Sequence, residues 1–153
     1  MEKAFRQKSR ELERYFENSL DLLCIADSSG YFLRLNPEWE KTLGFSIAEL
    51  TGKQFMEFVH PDDVTATREE LKALSSQQVV LNFINRYRCR DGSYRWLEWR
   101  SFPEGEIIYA VARDITDRKQ SEKLMEGQTR ALELIATGRP LQECLDRDRK
   151  SVV

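Results

Sequence analysis

The sequence predicts an α+β domain: one five-stranded antiparallel sheet, short helices gathered on one face of it, and a flanking helix at each end. Three observations carry this. Five β-rich runs stand in two groups, two and then three, with turns inside each group. A block of short, capped helical signals separates the groups. Both ends of the chain are charged and spaced like helices.

Taken in order, Phe5, Ser9, Leu12 and Phe16 recur at steps of four, three and four, one stripe of an amphipathic helix over residues 2–18. Leu22 to Ala26 and Tyr31 to Leu35 flank the polar turn Asp27-Ser28-Ser29-Gly30 and form a hairpin. Asn36-Pro37 suits a helix start, with Asn36 as cap and Pro37 in the first turn, and Gly44 closes that helix after Leu43. Ser46, with Glu49 three residues on, makes a capping box for a short helix ending at Leu50. His60-Pro61-Asp62-Asp63 opens a helix over 64–75, where Asp62 or Asp63 is expected to cap free donors and His60 to brace the start. Runs at 79–90, 94–102 and 107–115 complete the sheet across Asp91-Gly92 and Pro103-Glu104-Gly105. From Asp117 a charged helix follows, with Leu124, Gln128, Ala131 and Ile135 on one seam, and it stops at Gly138.

Composition limits the chemistry. The chain has 153 residues, 24 basic and 26 acidic, so a net charge of −2 offers nothing to nucleic acid or anionic lipid. A single histidine, His60, excludes multi-histidine metal sites and leaves nucleophile–base catalysis one base. Cys24, Cys89 and Cys144 have no CxxC spacing and read as small apolar fillers in a reducing compartment. No stretch approaches the length of a membrane span, and the amino terminus lacks an apolar signal core. The expectation is a cytoplasmic segment without catalysis, metal or membrane contact. Arg86, Arg88, Arg90, Arg95 and Arg100 cluster on neighbouring strands, but Asp91 and Glu98 interleave, as on a solvated strand face rather than a nucleic-acid patch.

These elements carry motifs in a fixed order: Asn36-Pro37, Gly44-Phe45, Leu50-Thr51-Gly52, His60-Pro61-Asp62-Asp63, Arg90-Asp91-Gly92-Ser93-Tyr94-Arg95-Trp96 and Arg113-Asp114-Ile115-Thr116. Together they resemble a bacterial PAS domain over about Leu12 to Arg118, the last two stretches resembling its PAC portion. A fainter resemblance, from Ala131 to Leu141, is to the start of a GAF domain. The implied division is an amino-terminal helix (1–19), a PAS/PAC core (20–116), a linker helix (117–138) and a truncated GAF-like start or tail (139–153). The resemblance implies a sensory and dimerisation module, amino-terminal to a histidine kinase, a diguanylate cyclase or another effector.

A PAS interior lies between the inner sheet face and the helices. Alternation places Val79, Leu81, Phe83, Asn85, Tyr87 and Cys89 inward on the first long strand and Val80 and Ile84 outward. The family's register turns Leu97, Trp99, Ser101, Ile108, Ala110 and Ala112 inward, and Cys24, Ala26, Leu35, Trp39, Leu43, Phe55 and Phe58 close the volume. Two readings of that interior stand side by side. One is a small-molecule pocket oriented by Asn85, Tyr87 and Ser101 on walls that include Trp99, Leu97, Trp39, Leu35, Phe55, Phe58 and Cys24. The other, favoured, is a packed aromatic core in which Asn85 and Tyr87 only satisfy backbone groups. The residues name no cofactor. The cysteine of a flavin-adduct site is replaced by Phe55, its neighbouring Asn by Gln54, and residues 64–75 lack a haem-binding histidine. A non-covalent flavin needs only an aromatic wall and amide partners, which Trp99, Asn85 and Gln54 supply.

Outward, Val80, Ile84, Trp96, Tyr109 and Val111 form an apolar patch for the amino-terminal helix to cover, on its own subunit or exchanged in a homodimer through Phe5, Leu12 and Phe16. Asp114, Ile115 and Thr116 stand where the last strand becomes the linker helix. A sensor would pass its signal there, and a ligand-free dimerisation module would only space its neighbours.

Overall fold

A computed structural model describes the backbone of residues 2–136 and the side chains of residues 9–127. The proposed contacts of Phe5, the seam beyond Leu124, Cys144 and the GAF-like stretch therefore lie outside the described residues. The chain divides into two units, one ending at Thr116 and one beginning at Asp117.

In the first unit, α1 (Glu2–Asn18) precedes the hairpin β1 (Leu22–Asp27) and β2 (Phe32–Leu35). Helices α2 (Glu38–Leu43) and α3 (Ile47–Leu50) follow, then 3-10 turns at Phe55–Phe58 and Pro61–Asp63, and α4 (Val64–Ser75). Strands β3 (Val80–Arg88), β4 (Tyr94–Glu104) and β5 (Ile107–Asp114) complete one antiparallel sheet in the order β2-β1-β5-β4-β3. The second unit holds α5 (Thr116–Ala136), which begins on the last residue of the first, with Arg118 and Lys119 reaching Glu122 along its surface. No helix among the described residues is long and apolar enough to cross a membrane.

Local signals place several boundaries. Ser46 and Glu49 exchange both bonds of the capping box, and Arg90 holds the Glu49 carboxylate at 2.9 Å. Gly44 ends α2 at φ 86°, a conformation open to glycine. Inner-face residues Leu97, Trp99, Ser101, Ile108, Ala110 and Ala112 are buried, as are Cys24, Ala26, Leu35, Trp39, Leu43 and Phe58.

The start of β3 departs from simple alternation. Val80 pairs with Ser101, Leu81 with Arg100 and Phe83 with Trp99, leaving Asn82 as an extra residue at φ 59°. This bulge turns Val80 inward, 6% exposed beside Leu74 and Ile108, and leaves Val79 and Leu81 in solvent at 53% and 58%. Alternation is recovered from Phe83 onward.

Two further expectations are corrected. Asn36 does not cap α2. Fully buried, it accepts from the Leu23 N–H (2.9 Å) and donates to the Asp21 carbonyl (3.0 Å), fastening the helix start to the beginning of β1. Neither Asp62 nor Asp63 caps α4. His60 Nδ1 accepts from the Asp62 N–H at 3.0 Å, its ring packed 4.5 Å from that of Tyr94, while Asp63 turns to Arg86. Glu13 and Glu17 pair with Arg34 on edge strand β2, and Phe16 lies under its guanidinium, whereas Tyr109 and Phe102 stay more than 40% exposed.

Candidate ligand cavity and strand-to-helix junction

Between the inner sheet face and α4 lies a cavity of about 60 Å³. Its floor comes from inward residues of all five strands: Cys24 and Ala26, then Phe32, then Val80, Phe83, Asn85 and Tyr87, then Trp99 and Ser101, then Ile108 and Ala110. Its roof is Thr67, Glu70, Leu71 and Leu74, one face of α4, with Phe55 from the preceding turn.

One hydrogen-bond chain crosses this interior. The Trp99 indole Nε1 donates to Asn85 Oδ1 (2.7 Å), Asn85 Nδ2 donates to Thr67 Oγ1 (3.2 Å), and the Thr67 hydroxyl donates to the Asp63 carbonyl (2.7 Å). Asn85 thus serves two side chains rather than the backbone. Trp39, Tyr87 and Trp99 pack with centroids 5.5–5.9 Å apart, tilted or edge-on as aromatic quadrupoles favour.

Tyr87 and Ser101 differ from Asn85. They are 2% and 6% exposed and both line the cavity, yet neither hydroxyl has a hydrogen-bond partner among the described residues. Every side-chain nitrogen and oxygen sealed from space there does have one, so these two hydroxyls open on to the cavity. Burial pushes the Tyr87 phenol well above its ordinary pKa and the Cys24 thiol up to about 12. Burial thus disfavours the phenolate and the thiolate alike.

Of the sequence candidates, Cys24, Phe55, Asn85, Tyr87, Trp99 and Ser101 line the cavity together. Leu35, Trp39, Phe58 and Leu97 lie in the surrounding packed core. Sequence reasoning does not find Thr67, Glu70, Leu71 and Leu74, although their three- and four-residue steps mark one helical face. Val80 escapes it because of the bulge. The flavin trio is not assembled: Gln54 is exposed away from the cavity, Asn85 and Trp99 bond each other, and three fused rings exceed about 60 Å³. Among the described residues no cluster of three or more His, Cys, Asp or Glu could hold a metal.

At the end of the central strand β5, Asp114 Oδ1 accepts from both the backbone N–H (2.9 Å) and the hydroxyl of Thr116. Thr116 Oγ1 accepts from the Trp96 N–H (3.0 Å), and the Ile115 N–H donates to the Trp96 carbonyl (2.8 Å). Arg95 stands 3.5 Å from the second Asp114 oxygen. The last turn of sheet pairing thereby runs into the first residue of α5.

A five-stranded antiparallel sheet with helices over one face, enclosing a small mixed cavity, is the architecture of a sensory domain. The family model described as PAS fold matches residues 32–111, and the chain belongs to that family. An uncharacterized protein of Sinorhizobium fredii, y4lL, is 34% identical over 113 residues, 69% of this chain and 13% of that protein. The probable diguanylate cyclase DgcE of Escherichia coli is 26% identical over 133 residues, 80% of this chain and 12% of that protein. The chain thus spans about an eighth of the length of each of these two relatives. The PAS domain of an HTR-like protein from Haloarcula marismortui superposes with a TM-score of 0.64 at 30% identity, over 74% of this chain and 97% of that one.

Proposed function

We propose that this chain is the sensory and regulatory PAS domain of a cytoplasmic bacterial signal-transduction protein of histidine-kinase or diguanylate-cyclase type, with a GAF-like segment following its PAC portion. It is not itself a catalyst. It passes a ligand- or partner-dependent change through Asp114, Ile115 and Thr116 to the linker helix. The observation that carries this is the Asp114–Thr116–Trp96 set of bonds. The Trp96 backbone lies on the same strand as Leu97 and Trp99, so a shift of the cavity floor reaches the first residue of α5 within β4. The diguanylate-cyclase relative supports the effector class.

A second reading is a ligand-free module that dimerises and spaces its neighbours. It draws on the aromatic packing of Trp39, Tyr87 and Trp99 and on the exposed Leu12, Tyr15, Phe102 and Tyr109. Asp114→Ala in the full-length protein separates the two. One charge-assisted bond is worth about 1–3 kcal/mol, small against a folding margin of roughly 5–15 kcal/mol and enough to shift a two-state output about tenfold. A changed effector output with a folded domain supports the sensor; unchanged output removes Asp114 from signalling.

A further inference from the structure

We infer that the cavity takes a short aliphatic molecule with one alcohol or carbonyl group, held at Ser101, and refuses diols and carboxylates of the same size. This rests on the sensor reading above and narrows its ligand class.

Side-chain size places the free space. Toward the Tyr87 end, the rings of Trp39, Tyr87 and Trp99 fill the interior, with centres 5.5–5.9 Å apart. Toward the other end the floor is low. Ser101 stands between Val80 on β3 and Ala110 on β5, Ala110 faces Cys24, and Ala26 faces Ile108. Leu71 and Leu74 of α4 lie over them, Leu74 packed on Val80 and Ile108. At about 10–15 Å³ for each water-sized occupant, the cavity of about 60 Å³ holds roughly four or five non-hydrogen atoms.

Polarity sets the functional group. Asn85, Trp99 and Thr67 are engaged with one another and with the Asp63 carbonyl, and Cys24 offers only a weak thiol donor. At the small-residue end the Ser101 hydroxyl, more than nine-tenths buried, has no partner among the described residues. The Tyr87 hydroxyl belongs to a residue opposite Arg95, six places before Ser101 on β4. At about 3.3 Å for each residue, their backbones lie about 20 Å apart along the sheet, so a compact ligand meets one and not both. A serine hydroxyl donates and accepts, which suits an alcohol or a carbonyl equally. The carbon chain then lies against Ala26, Leu71, Leu74, Val80, Ile108 and Ala110. A second ligand hydroxyl would leave water for these walls and find no partner.

Charge sets what else is refused. Glu70 is the one charged side chain lining the cavity among the described residues. No cation lines the space to receive a carboxylate, which would meet the Glu70 anion and lose its hydration against apolar walls.

The test is a titration of the whole chain with butan-1-ol, butanone, propane-1,2-diol and propionate, which share one heavy-atom count. The readout is the indole N–H resonances in ¹H–¹⁵N NMR, with Trp96, outside the cavity, as internal reference. The Trp99 signal is expected to move with butan-1-ol and butanone, to need more of the diol, and to stay still with propionate. Ser101→Ala keeps the floor low and removes the hydroxyl, and is expected to weaken butan-1-ol and butanone about three- to tenfold. Tyr87→Phe is expected to leave both affinities unchanged. Diol binding as tight as that of the alcohol, unchanged affinity in Ser101→Ala, a loss in Tyr87→Phe as large as that in Ser101→Ala, a response to propionate, or no response to any probe overturns the inference. The effector output of Asp114→Ala does not depend on which probe binds, so it tests the sensor reading separately.

Discussion

Asp63 receives three hydrogen bonds from a single residue: the backbone N–H of Arg86 at 2.8 Å, its Nε at 2.9 Å and its Nη2 at 2.9 Å. The pair is about one-fifth exposed on both sides, and the guanidinium also lies 4.8 Å from the ring centre of Trp96. It ties the start of α4, the roof of the cavity, to the middle of β3, its floor.

The side-chain bonds from Arg86 hold the Asp63 carboxyl below its ordinary pKa. A carboxylate depressed in the folded state contributes stability that is full above its unfolded pKa and fades as pH falls through the folded one. Thermal melts between neutral pH and about pH 2 are expected to show part of the acid-side loss disappear in Asp63→Asn. At neutral pH Asp63→Ala is expected to cost about 1–3 kcal/mol, since Arg86 then keeps only the longer pair with Asp62 at 3.9 Å and the Trp96 ring. An acid profile identical to that of the unaltered protein would remove the pair from the pH response.

Asn36 bridges two backbone groups at the start of β1 from a fully buried position. Asn36→Ala strands one donor and one acceptor and is expected to cost about 2–4 kcal/mol by denaturant unfolding. Asn36→Ser, which would preserve an ordinary helix cap, is expected to recover little. Full recovery by serine would return Asn36 to the capping role that its position before Pro37 suggests.

Self-association is the reading of the α1 stripe of Phe5, Ser9, Leu12 and Phe16, of which Leu12 is 69% exposed, with Tyr15 off the stripe also exposed. Phe5→Glu with Leu12→Glu is expected to move a dimer toward monomer in light scattering at fixed concentration. A protein that is monomeric before and after the change has no homodimer through this helix.

Legibility in the sequence followed the range of the interactions involved. The Ser46–Glu49 capping box, the Gly44 stop and the limits of α4 are settled within a few residues, and reading them needs nothing from the rest of the chain. The inner face of β3 is readable from Phe83 onward because its two parities differ in charge, while those of β4 and β5, apolar on both faces in part, come from the register the family resemblance implies. Asn36 and Asp63 misled because each has a chain neighbour it suits and a distant partner that it takes, 13 and 23 residues away. The cavity's polar character was half legible. Parity places Asn85 and Tyr87 inward and the family's register places Ser101 there, but that Asn85 is engaged and the two hydroxyls are not depends on Trp99 and Thr67 meeting across the interior.

The extra residue in β3 has a consequence for sequence length. Because Val80, Leu81 and Phe83 already face Ser101, Arg100 and Trp99 in step, removing Asn82 would splice the ladder without turning any side chain over. A deletion anywhere from Ile84 to Tyr87 would invert everything on one side of it. Asn82 is therefore the position in β3 where a gap in an alignment is structurally silent for facing. What such a shortened strand would lose is the local twist that the bulge adds, at the end of the sheet where Val80 meets Leu74 and Ile108.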